Sequence, residues 1–298
     1  MAQRIGGRSS PDVPLQHEQD SVGVTDTTRR TFASFGYEWN AFGDLREEDQ
    51  GFWRRISDGL PTAELASLRG LDAGCGKGRY TRHLAPHLAS LVALDGSDAV
   101  LAASRNLAGM PNVAVVKADL REPPFGEASF SLIMSLGVLH HLEEPEEGFR
   151  RLVDLLAPGG IIFVYLYSAA DGLSLRSVGL LAATALRKVT VRLPHRLLRW
   201  LSLPLAALLT ALFVVPGAVG ERTGIQFLRH LPLATYRGKP LRSLWLDTFD
   251  RLSAPVEHRY RWPELAGWFG RAGLTVTSVR EDAGWYVVAR KPGSDHGG

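Results

Sequence analysis

The chain has 298 residues, 45% hydrophobic and 22% charged, enough to bury one substantial core with embellishments. A formal net charge of +3 is too small an excess to argue for a nucleic-acid partner. A single cysteine excludes an intramolecular disulfide framework and fits a reducing cytosol, and no His/Cys cluster with metal-ligand spacing is present.

Residues 1–25 are rich in Gly, Ser, Pro, Asp and Gln with no apolar run, so a disordered tail is expected there rather than a signal peptide. Residues 31–43 follow with Thr-Phe-Ala-Ser-Phe-Gly-Tyr-Glu-Trp-Asn-Ala-Phe-Gly, an aromatic density that suits a docking segment. Helical spacing then carries Phe52, Trp53, Ile56 and Leu60 on one face of Glu47 to Leu60.

Residues 71–78, Leu-Asp-Ala-Gly-Cys-Gly-Lys-Gly, stand where an apolar strand hands over to a helix predicted from Tyr80 to Leu88. Glycine at alternate positions lets the backbone turn tightly and approach a ligand, and a helix start offers free N–H groups to an anion. Arg79 stands where the dinucleotide fingerprint has its third glycine, and no Gly-Lys-Ser/Thr follows, which excludes a P-loop. Cys75, inside the loop, is read as a small packing residue, since no His or Asp is placed to activate it.

A second apolar run from Leu91 ends at Asp95-Gly96-Ser97, about 20 residues past the glycines, where an acid can hold ribose hydroxyls. A third, Val113 to Lys117, ends at Ala118-Asp119-Leu120. A fourth, Phe130 to Ser135, leads through Leu136 to His140 and His141. After a helix whose start carries Glu143, Glu144, Glu146 and Glu147, Leu156-Ala-Pro-Gly-Gly precedes a fifth run from Ile161.

This succession of LDAGCGKG, ALDGS, KADL, FSLIMSLGVLHHL and LLAPGG resembles, in order and spacing, the motifs of the class I S-adenosylmethionine-dependent methyltransferases, over roughly residues 66–168. The resemblance implies a Rossmann-like α/β fold: a seven-stranded, mostly parallel sheet with its last strand antiparallel, and S-adenosyl-L-methionine as cofactor. It implies that Asp72 and the loop Gly74, Cys75, Gly76 and Gly78 hold the amino-acid part of the cofactor. Asp95, with Gly96 and Ser97, would hold the ribose, Asp119 the adenine amino group, and Leu120 the ring. Ser135 and Leu136 would line the transfer pocket. Phe-Gly-Tyr-x-Trp resembles the N-terminal element of a bacterial small-molecule subgroup, which makes Tyr37 and Trp39 either lid residues or plain packing.

His140 and His141 are the titratable pair nearest the fourth strand's end. In a helix they would point about 100° apart, so one could face the substrate as a general base. His140 is the preferred one, although imidazoles that merely pack the turn are the simpler reading.

After the fifth strand the pattern breaks for about 80 residues, giving a helical insertion between strands 5 and 6. Ser174 to Arg199 mixes leucines with arginines, and Trp200 to Gly220 runs 21 residues without a formal charge. Pro204 and Pro216 are expected to interrupt that stretch. A lid over the acceptor pocket and a peripheral membrane contact through 174–220 are both open, and both call for an apolar or bulky acceptor. Leu244 to Asp250 and Ala254 to Tyr260 look like substrate-facing loop, with Asp247, Asp250, His258 and Tyr260 as acceptor contacts. Leu265, Trp268 and Phe269 mark a helix begun by Trp262-Pro263, and two final strands follow.

The expected layout is a tail (1–25), an N-terminal lid segment (26–65), the cofactor-binding core (66–168), the insertion (169–245), the remaining core (246–291) and a second tail (292–298). The function implied is methyl transfer to a small-molecule acceptor in the cytoplasm, a secondary metabolite or lipid-like compound, with no metal and no nucleic acid. Two alternatives stand beside it: a peripheral membrane methyltransferase for a prenylated quinone or lipid, and a non-catalytic cofactor-binding scaffold.

Overall fold

A computed structural model of the chain describes residues 24–45, 65–169, 175–282 and 284–293. The helix expected over Glu47 to Leu60 and nearly all of both expected tails lie outside them. Seven strands form one sheet in the order β3-β2-β1-β4-β5-β7-β6. They are β1 (Arg69–Ala73), β2 (Ser90–Asp95), β3 (Val113–Lys117), β4 (Phe130–Leu136), β5 (Leu156–Tyr167), β6 (Thr275–Glu281) and β7 (Gly284–Arg290). Strands β1 to β5 pair in parallel, and β7 runs antiparallel between β5 and β6. Strands covered on both faces need apolar residues at nearly every position, which is why β4 and β5 read as continuous runs. The strand order reverses between β1 and β4, and the carboxyl-end crevice at such a switch point is where ligands bind in these sheets.

On one face, α4 (Pro145–Leu155) and α10 (Trp262–Arg271) bury Phe149, Leu152, Leu265, Trp268 and Phe269 against Leu71, Ile133 and Val287. Between them in number lie α5 (Leu175–Thr190), α6 (His195–Leu209), α7 (Val215–Thr223), α8 (Gln226–Arg229) and α9 (Leu241–Ser253), while α1 (Asp26–Ala41), α2 (Thr81–Leu84) and α3 (Ala99–Asn106) precede β3.

Three expectations about helices fail for identifiable reasons. The helix after the glycine loop is only α2, four residues, followed by a tight 3₁₀ turn over Ala85–His87. Pro86 has no N–H to give the Arg82 carbonyl, so the α-helical ladder cannot continue. Conversely, Pro204 and Pro216 do not interrupt the insertion: α6, a π turn over Thr210–Val214 and α7 form one 29-residue rod, His195–Thr223. The widened turn directly before Pro216 relaxes the ladder where the proline enters it. Residues 244–250 are helix rather than loop, since Leu244, Thr248, Phe249 and Leu252 repeat at helical spacing and are buried. The insertion's helices therefore run past residue 245.

The insertion packs on α1. Phe249, fully buried, meets Tyr37 at 5.7 Å and Phe42 at 6.2 Å between ring centroids, with Leu198 and Leu252 completing the cluster. Truncating such a residue forfeits transfer energy and leaves a cavity. Phe249→Ala is expected to cost about 3–5 kcal/mol in chemical denaturation. A loss below about 1 kcal/mol would mean the insertion is not part of the cooperative core.

Candidate functional site

The site is built at the carboxyl ends of β1, β2 and β4. The Gly74 and Cys75 amides both donate to the Leu94 carbonyl, at 2.7 and 2.8 Å, folding the loop back over β2. Gly74 adopts φ +85°, and a Cβ there would lie 2.3 Å from Val138 Cγ2 on the loop after β4. Only glycine meets both demands.

Asp95 ends β2 under this loop. Its Oδ2 accepts the Gly76 amide at 2.9 Å, and its Oδ1 accepts the Ser97 amide at 2.9 Å and hydroxyl at 2.6 Å. Burial raises its pKa, opposed by those bonds from Ser97 and Gly76. Asp72 lies deeper: it is buried, and its Oδ2 accepts the Thr81 hydroxyl at 2.6 Å. Burial lifts its pKa to about 7 against the pull of Thr81. Burial likewise pushes the Cys75 thiol well up, consistent with an inert packing residue.

A cavity of about 780 Å³, counting its open mouth, lies between this loop and α1. Gly74, Cys75, Gly76, Asp95, Gly96, Ser97, Leu120 and Leu136 line it, together with Trp39 and His141. Phe32 and Phe35 of α1 roof it; a Cβ on Gly96 would meet the Phe32 ring at 2.5 Å. Lys77 and Arg79 bring positive charge to the same wall, and the Arg79 guanidinium lies 5.2 Å from the Trp39 ring centroid. Phe32, Phe35 and Lys77 were not singled out in the sequence, and Arg79 only as the residue in place of a third glycine. The helical recurrence of 28, 31, 35, 38 and 42 on the inward face of α1 is the signal that would have found the roof.

Other expected residues lie elsewhere. The Asp119 carboxylate is held by Arg121, at 3.0–3.1 Å from Nε and 2.5 Å from Nη2, and does not line the cavity. Asp72, Gly78 and Ser135 sit behind the wall; the Ser135 hydroxyl donates to the Ala73 carbonyl at 3.0 Å. Tyr37 points from α1 toward the insertion and stacks on His195 at 5.4 Å. Tyr260 packs against Trp268 at 4.9 Å in the core. Asp247 accepts the Tyr236 hydroxyl, and the His258 amide donates to the His140 carbonyl at 2.8 Å.

Of the two histidines, the structure brings His141 to the cavity, not the preferred His140. The pair lies in a 3₁₀ turn, Leu139–His141. His141 Nδ1 lies 2.7 Å from the Val256 carbonyl, and burial lowers its pKa to about 4 despite that contact. His140 is fully buried and stacks on Tyr167 at 3.9 Å, also with its pKa pushed down by burial. Both imidazoles are neutral near pH 7, so His141 can orient a group but is a weak base.

Residues 71–164 match the methyltransferase domain family. The chain is 34% identical over 115 residues to a demethylmenaquinone methyltransferase of Clavibacter sepedonicus, covering 38% of this chain and 47% of that protein. It is 31% identical over 169 residues to a tRNA U34 carboxymethyltransferase of Pseudomonas aeruginosa, covering 54% and 49%. The chain thus spans about half the length of these curated relatives. A solved SAM-dependent methyltransferase from Aquifex aeolicus shares the fold at 14% identity and TM-score 0.50, over 86% of this chain and 97% of that one. Over residues 71–164 the chain matches a methyltransferase domain, and the cofactor is S-adenosyl-L-methionine.

The cavity fits that cofactor. A carboxylate with spare lone pairs suits a ribose diol, Leu120 and the Phe32 ring an adenine face, and Arg79 an α-carboxylate, while the Lys77 ammonium donates to the Phe42 and Asp44 carbonyls. One consequence concerns Asp72 and stability. The folded chain keeps the Asp72 proton up to about pH 7, while the unfolded chain releases it near 3.8, so stability falls as pH rises through that window. Asp72→Asn is expected to flatten that slope in thermal unfolding at matched pH values. An unchanged slope would mean that Asp72 is ionised in the fold.

Proposed function

We propose that the protein transfers the methyl group of S-adenosyl-L-methionine to a small-molecule acceptor. The observation that carries this reading is Asp95, joined to the Gly76 amide at the cavity wall, beneath a roof supplied by α1. The bound sulfonium brings its own leaving group, so the chain's residues have only to align the acceptor and exclude water. Phe32, Phe35 and Trp39 exclude water on the α1 side, and His141 borders the path to the acceptor. Equilibrium titration with S-adenosylhomocysteine tests it. Asp95→Ala is expected to weaken binding at least about tenfold, and unchanged affinity would remove the assigned pocket. Cofactor binding without turnover across a broad acceptor screen would favour the scaffold alternative.

A second reading, membrane contact during catalysis, is favoured by the insertion's surface. Leu197, Trp200, Leu201, Leu208, Leu212, Val215 and Val219 recur along one side of the His195–Thr223 rod, all exposed, with Trp200 at 63%. Lys188, Arg192 and Arg196 stand exposed at one end, and no Asp or Glu occurs between residues 172 and 220. An apolar stripe with a basic flank suits an interfacial helix lying on anionic lipid. The expected result is co-flotation with anionic vesicles, lost in a Trp200→Glu/Leu208→Glu variant that still binds S-adenosylhomocysteine. Flotation that survives these changes would exclude the stripe as the contact.

A further inference from the structure

The inward face of α1 is polar where a packed helix should be apolar. Ser34 and Glu38 are 0% and 1% exposed, and among the described residues the Ser34 Oγ and Glu38 Oε2 have no hydrogen-bond partner. Glu38 lies one turn from Phe35, whose ring is 4.8 Å from His141 at the cavity, and one turn from Phe42 under α9. It therefore sits where the cofactor cavity meets the insertion.

What faces it is acidic. The charges that act on it most strongly are Asp250 and Asp247 of α9, then Arg79 and Lys77 of the glycine loop. Asp250 Oδ1 is also buried without a partner, as are both ring nitrogens of His140 and Nε2 of His258. Asp250 lies next to Tyr167, and Tyr167 carries His140 on its face, so these groups form one connected cluster.

The surrounding donors are already engaged. Arg187 and Arg259 each bond Glu257 at 2.7 Å, and the Tyr236 hydroxyl is given to Asp247. With Glu257 so matched, Asp250 is offset by Arg251 and Arg187 and Glu38 by Arg79 and Lys77, in each case less strongly than the neighbouring acids act on it. Burial raises the pKa of Glu38 well above the usual carboxylate range, and that of Asp250 to about 7, with neighbouring carboxylates adding to both.

Among the described residues, Glu38 Oε2 and Asp250 Oδ1 thus lack a donor, and the acids around both carboxyls act on them more strongly than the cations do. Leaving buried carboxylates and imidazoles unpaired is costly unless a ligand completes them. An ammonium group supplies three donors and a unit charge at one point. A hydroxyl supplies one donor and leaves the charge uncompensated, and an anion adds to the surplus.

We propose that Glu38 and Asp250, with His140 beside them, anchor the methyl acceptor by a protonated aliphatic amine. This rests on the methyl-transfer reading and narrows its acceptor to amine-bearing molecules; the methylated atom need not be this nitrogen.

Saturation-transfer NMR on the full chain, with and without S-adenosylhomocysteine, tests it using phenethylamine, phenethyl alcohol and phenylacetate as matched probes. The expected order is amine binding, alcohol weaker by at least about tenfold, and no phenylacetate binding. Glu38→Gln and Asp250→Asn are each expected to weaken the amine by about tenfold while S-adenosylhomocysteine still binds, which also certifies their fold. Equal binding of amine and alcohol by the unsubstituted protein overturns the proposal whatever the variants do, as does amine binding indifferent to both substitutions. Should S-adenosylhomocysteine fail to bind, the methyl-transfer reading falls, while the amine–alcohol contrast still decides the anchor.

Discussion

The site depends on one hydrogen bond across two strands, from the Gly76 amide to Asp95 Oδ2 at 2.9 Å. It fixes the glycine loop after β1 against the acid that ends β2, and Ser97 holds the other carboxylate oxygen in place. A charge-assisted bond of this kind is stronger than an ordinary amide–carbonyl one. It also aims the carboxylate before any ligand arrives, which lowers the ordering cost of binding. The sheet supplies the rest, since parallel pairing of β1, β2 and β4 brings three loops to one edge.

Over that edge lies α1, and its attachment is mostly polar. Thr25 caps the helix by accepting the Thr28 amide, and both hydroxyls donate to Glu143 beyond β4. At the other end Asn40 donates to the Asp98 carbonyl, and Asn106 donates to the carbonyls of Gly43 and Lys77. Glu143, expected to be an acid decorating a helix start, is thus a tether for the roof. A roof held by hydrogen bonds at its ends and aromatic rings at its middle can release a ligand without breaking the core beneath it. The insertion clamps it through Tyr37, Phe42 and Phe249.

The core sheet was legible in the sequence because buried parallel strands demand apolar runs and their turns demand glycine. The family resemblance pointed to Asp95, Leu120 and Leu136, which border the cavity. It failed where tertiary contacts decide. The sequence showed Tyr37 and Trp39 as equals, but residues two apart on a helix face different ways, and only Trp39 meets the cavity. Asp119 followed a strand as expected, yet Arg121 two residues on captures its carboxylate. The prolines of the insertion looked like breaks, since a local rule cannot anticipate the π turn that accommodates Pro216. Glu38 escaped notice altogether: one acid among aromatics becomes informative only once its burial is known.

The central claim is that α1 and the Asp95-bound glycine loop enclose the cofactor. A crystal structure of the full chain with S-adenosylhomocysteine tests it most directly. The account predicts the ribose hydroxyls at Asp95, the adenine between Leu120 and Phe32, and the carboxylate toward Arg79, with α1 in place. Cofactor bound elsewhere, or bound with Asp95 and Phe32 out of contact, would contradict it.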